Sequence, residues 1–115
     1  MKKFGLSLSR IIEIIPGIRQ IEKNDLKSGD QVFIFTGNSV YDIKKVDEKI
    51  YRVSGGWFDQ NNISPCKISI RGCTWGGSII HINMLAACGL CLEFGNNVIT
   101  SPVTQIVVIK ANYLN

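Results

Sequence analysis

The chain has 115 residues, 45% of them hydrophobic, and a formal net charge of +4. Its length excludes multidomain enzymes and full-size Rossmann or barrel folds, and its apolar content and small net charge exclude disorder. A chain of this size buries roughly two-thirds of its unfolded surface, enough for one core without metal or disulfide staples.

The spacing divides the chain into an N-terminal segment over 1–25, a β core over 26–110 and a tail over 111–115, together one compact domain. Lys2 and Lys3 precede the short apolar run Phe4 to Leu8, but Arg10 and Glu13 interrupt it before it reaches signal-peptide length. Two readings of this first element stay open. Ser7 or Ser9 can cap a helix carrying Ile11, Ile12, Ile15 and Ile18 at helical spacing, ended by Pro16-Gly17, whereas Phe4, Leu6 and Leu8 alternate as a strand does.

Leu26 to Val32 reads as a turn entering a strand, with Gly29 supplying positive φ and Asp30 bonding the local backbone. Strands are predicted over Val32–Thr36, Ser39–Val46 and Ile50–Ser54, joined by Gly37-Asn38 and by Asp47-Glu48-Lys49. Gly55 to Pro65 is predicted as a loop. Cys66 to Arg71 alternates cleanly, with Cys66, Ile68 and Ile70 on one face and Lys67, Ser69 and Arg71 on the other. A loop is predicted over Gly72–Gly77, a strand over Ser78–Ile82, and a helical turn from the Asn83 cap through Met84 to Cys88, ended by Gly89. Leu90–Phe94, Val98–Ser101 and Thr104–Lys110 complete the predicted strands.

The Leu-x-x-Gly-Asp-x-Val turn at Leu26–Val32 and the meander after it resemble the opening of SH3-like small β-barrels. The resemblance implies an architecture and no activity. The expected fold is mainly β: a small SH3-like β-barrel or half-open β-roll with one or two short helices.

Charge is unevenly spread. Residues 1–59 hold 18 of the 22 charged residues, and residues 60–115 hold only Lys67, Arg71, Glu93 and Lys110. Interface cores are depleted in charge, so a homo-oligomer built through 60–110 is expected. Strands with apolar residues on both faces, such as Ile106 to Ile109, call for the same cover.

Chemistry is sparse. Cys88 and Cys91 form a Cys-x-x-Cys pair at an expected helix end, where the dipole opposes thiolate formation, and Cys66 and Cys73 lack zinc-site spacing. Reduced thiols in a cytoplasmic protein, with no metal and no cofactor, are expected. His81, the only histidine, has no catalytic partner in sequence, and Glu93 calls for a basic partner. No catalytic set can be assembled, so the chain reads as non-enzymatic.

The residues singled out for binding are two mirrored motifs, Gly55-Gly56-Trp57 and Trp75-Gly76-Gly77, with Arg52 and Arg71 beside them. Glycine pairs let a ligand approach the backbone, tryptophan offers a flat stacking surface, and arginine pairs with anions. The opposing structural reading has both rings plugging the core. The expected function is therefore a non-catalytic, self-associating module for protein or peptide binding. The alternatives are a small-molecule or nucleotide binder using the Gly-Trp loops and a weak nucleic-acid binder without base-specific readout. No membrane span is expected, because the longest apolar run, Met84 to Leu92, is about half the needed length.

Overall fold

Short alternating segments rich in β-branched and aromatic residues build almost every element of this chain. The computed structural model describes residues 10–75 and 79–113, and it is mainly β. In chain order the strands are β1 (Arg10–Ile18), β2 (Gln20–Glu22), β3 (Gln31–Thr36), β4 (Val40–Lys45) and β5 (Tyr51–Gly55). A short helix α1 (Gly56–Gln60) follows, then β6 (Cys66–Ile68), β7 (Ile70–Trp75), β8 (Ile79–His81), β9 (Met84–Ala87), β10 (Cys91–Phe94) and β11 (Val103–Tyr113).

A six-stranded antiparallel sheet has the order β1-β11-β3-β4-β5-β6. Strands β10, β7 and β8 form a second sheet in that order, and β9 pairs with β2. The pairings among the described residues leave the large sheet open at β1 and β6, and no closed barrel is found. Val32, Ile34, Ile43, Val53, Ile106 and Val108 line its inner face. They share one core with Leu85, Leu92, Phe94 and Ile70 of the smaller sheets and with Phe58 of α1.

The turns work as their side chains dictate. The Asp30 carboxylate accepts a bond from Lys27 N–H at 2.9 Å, and Gly29 N–H donates to the Lys45 carbonyl at 2.8 Å. The Thr36 hydroxyl accepts from Asn38 and Ser39 N–H groups, fixing the β3–β4 turn. Asp47 Oδ1 accepts from the Lys49 and Ile50 N–H groups in the β4–β5 turn.

Several elements differ from the sequence expectation. The first described element is a strand, not a helix. Its β-branched isoleucines favour extended backbone, and Pro16-Gly17 is absorbed as a bulge, because Ile15 pairs with Val108 and Ile18 with Ile106. The Ser7 or Ser9 cap lies outside the described residues. Met84–Ala87 is a strand rather than a helical turn. Leu85, Ala86 and Ala87 are all buried, so the segment has no polar face for an exposed helix, and pairing with β2 overrides local propensity. Helix α1 forms inside the predicted Gly55–Pro65 loop. Strand β7 runs on through the predicted loop as far as Trp75, because Gly72 passes so close to the His81 carbonyl that only glycine fits there. Val98–Ser101 contributes an isolated bridge, Glu93 to Ile99, in place of a strand. β11 extends through Tyr113 into the predicted tail. No helix among the described residues is long and apolar enough to cross a membrane.

Candidate functional site

The two mirrored glycine–tryptophan motifs lie in different surroundings. At the first, Gly55 ends β5 with φ +96° and Gly56 opens α1 with φ +43°. A Cβ at Gly55 would drive into the Val40 carbonyl, and one at Gly56 into the Tyr41 ring. These glycines therefore admit strand β4 and Tyr41. The Asp59 carboxylate accepts from Gly55 N–H at 3.0 Å, and the Tyr41 hydroxyl accepts from Trp57 N–H at 3.3 Å.

The Trp57 ring is half-buried and stands edge-on to Phe58 at 5.3 Å between centroids. Phe58 in turn packs edge-on to Phe94 at 4.9 Å. The outer part of Trp57 lines an open cleft of about 380 Å³ with Thr36, Asn38, Gln60, Ile99 and Ser101. Across it the Asn38 amide donates to the Ser101 hydroxyl at 2.7 Å. The lining offers hydroxyl, amide and aromatic groups and carries no charge.

Trp75 is 69% exposed at the end of β7. It is directly opposite Ile79 of β8, itself 65% exposed, so the two side chains share one face of the hairpin. Ile82, just beyond β8, is 66% exposed. Gly76 and Gly77 lie outside the described residues. Strand β8 is an edge of its sheet, paired on one side only among the described residues.

The arginines also part company. Arg71 is held inside the molecule's own polar network: its guanidinium pairs with Glu93 at 2.9 Å and donates to the Gly95 carbonyl at 3.3 Å. This supplies the basic partner that Glu93, almost fully buried, requires. Arg52 is exposed on the outer face of β5 and lines a second cleft with Gln31, Asp42, Lys44, Ser54 and Pro65. Sequence reasoning names Arg52 without its neighbours. Only the strand register sets Lys44 and Lys67 on either side of it.

The four cysteines are free thiols. Cys73 is opposite His81 in the β7–β8 pairing, which brings a thiol and an imidazole to facing positions. Burial pushes the Cys73 thiol up to about 11, the reverse of what an activated nucleophile needs. Among the described residues no group of three or more His, Cys, Asp or Glu side chains could hold a metal ion. No family model, curated protein or solved structure matches the chain.

Proposed function

We propose that this protein is a non-catalytic binding module that pairs with a second copy of itself through the β7–β8 hairpin. The observation that carries the reading is the exposed Trp75–Ile79 pair on one face of the hairpin. Exposed apolar groups clustered in this way mark association sites, and tryptophan is among the commonest anchors of interfaces. The edge of β8, unpaired among the described residues, argues for a second copy as the occupant. An edge strand is its own antiparallel complement, so a two-fold pairing closes on itself and satisfies both backbones. A stable interface takes about 800 Å² per partner, of which the Trp75–Ile79 pair forms the anchor. The charge-poor segment 60–110 supplies the surroundings. In this reading the large sheet is a half-open, SH3-like roll that carries the hairpin, and the free thiols suit a cytoplasmic setting.

A single-tryptophan variant tests it. Trp57→Phe leaves Trp75 as the only indole, and its emission should move to shorter wavelength as protein concentration rises. Emission that stays at the fully solvated position at all concentrations overturns the proposal.

A second reading rests on the Trp57 cleft, whose uncharged hydrogen-bonding lining beside an indole suits a neutral, hydroxyl- or amide-bearing small molecule. In a Trp75→Phe variant, Trp57 emission should respond to such a ligand in a screen of neutral sugars and nucleosides. A flat response across the screen removes this reading.

A further inference from the structure

Lys44, Arg52 and Lys67 stand in one row across β4, β5 and β6: Lys44 is directly opposite Arg52, and Arg52 directly opposite Lys67. Like charges in opposed positions on one sheet face repel each other. Neighbouring strands lie about 4.8 Å apart, so the row spans about 10 Å. Among the described residues none of the three side chains makes a hydrogen bond or ion pair. The acid on the same face, Asp42, accepts from the Gln31 amide at 2.6 Å. The sheet thus carries a row of three cations with one carboxylate, Asp42, on the same face, so the row keeps a net positive charge and no cation of it is held in an ion pair among the described residues.

Aromatic surface adjoins the row. Phe33 and Phe35 alternate with the buried Val32 and Ile34 on β3, so they face outward on the side that carries Lys44 and Arg52. Phe33 is opposite Asp42, one step diagonally from Lys44. Both rings are half-buried, yet neither is among the half-buried residues packed on the core. The Arg52 cleft, about 380 Å³, opens on this same face.

We infer that this outer face binds single-stranded nucleic acid, with successive phosphates along Lys44, Arg52 and Lys67 and a base on Phe33. A single phosphate group is too small to meet three cations spread over about 10 Å, whereas a phosphodiester chain meets them in succession. Aromatic rings beside a basic track are the general means of holding unpaired bases, and a duplex keeps its bases stacked away from such rings. Backbone contacts with stacking carry little sequence preference, which fits the absence of a base-reading motif. The net charge of +4 has the right sign to assist encounter.

The test is fluorescence anisotropy with a labelled oligothymidylate of about 15 nucleotides, titrated at several salt concentrations. Three phosphate contacts on a single strand give a slope of log K against log salt of about −2. Lys44→Ala, Arg52→Ala and Lys67→Ala should each make the slope shallower by about 0.7, while Lys27→Ala, away from the row, should not change it. Phe33→Ala should weaken binding about tenfold at unchanged slope, as expected for a stacking contact. Circular dichroism confirms that each variant is folded, and the three row variants keep the test open should Phe33→Ala prove unstable. Absence of binding at low salt overturns the inference, as does a slope insensitive to all three row substitutions. Equal affinity for a duplex or for an acidic peptide, with no effect of Phe33→Ala, also overturns it and leaves a general polyanion surface.

Discussion

Trp57 and Trp75 each adjoin a glycine pair at a strand end, yet one ring is half-buried beside Phe58 and the other stands 69% exposed on a hairpin. The difference comes from the neighbouring strand. At Gly55-Gly56 the backbone must clear the Val40 carbonyl and the Tyr41 ring, so the motif turns inward and seats Trp57 on the aromatic cluster. Trp75 is opposite Ile79, on a three-residue strand that is an edge of its sheet among the described residues. A motif that reads the same in both directions thus serves packing at one end and presents a surface at the other. Which of the two it does depends on how much structure lies behind it.

The sharpest way to break this contrast is to remove the clearance at the first motif. Gly55→Ala puts a methyl group into the Val40 carbonyl at φ +96°. We expect a loss of about 3 kcal/mol or more. The melting temperature should fall by on the order of 15 °C. A thermal melt within a few degrees of wild type would show that the β4–β5 approach is looser than described.

Truncating the rings themselves should separate them by stability. Trp57→Ala removes a half-buried ring from Phe58 and should cost about 2 kcal/mol in chemical unfolding. Trp75→Ala, measured at a concentration low enough to keep the chains apart, should change stability by no more than about 0.5 kcal/mol. Equal losses at both positions would mean that Trp75 also supports the fold.

Cys73 provides an effect confined to alkaline pH, and it concerns the interior end of the exposed hairpin. Burial raises its thiol from an ordinary 9.0 to about 11. The unfolded chain therefore loses this proton first. The stability that the neutral thiol contributes is complete below about pH 9 and is lost as pH rises through 11. Lys23, held below its ordinary range by burial, acts in the opposite sense, so the informative quantity is the difference between wild type and Cys73→Ala. Wild-type stability should fall more steeply than the variant's across that window. Parallel curves would place the thiol in contact with solvent.

The fold was legible wherever pattern and turn chemistry agreed. The β3, β4 and β5 meander and its Asp30 and Asp47 turns follow from alternation and from short carboxylates that cap local N–H groups, whereas the single strand expected over Cys66–Arg71 is split at Ser69 into β6 of the large sheet and β7 of the second sheet, a change of sheet that alternation does not encode. Met84–Ala87 was illegible because Met, Leu and Ala favour a helix in isolation, whereas burial on both faces and pairing with β2 decide otherwise. The bulge at Pro16-Gly17 was illegible because a proline-glycine pair ends a helix and kinks a strand with equal ease. Of the candidate site, composition picked out both tryptophans but not their separation, which depends on long-range register. The Lys44–Arg52–Lys67 row is equally a product of register, since its members are scattered along 24 residues of sequence.

The most direct test of self-pairing through the exposed hairpin is light scattering on wild type and on a Trp75→Ala, Ile79→Ser double variant over a wide concentration range. We predict a wild-type mass near twice 12.8 kDa at high concentration and a folded variant that stays at 12.8 kDa. A wild-type chain that remains at 12.8 kDa, or a double variant that associates as well as wild type, contradicts the account.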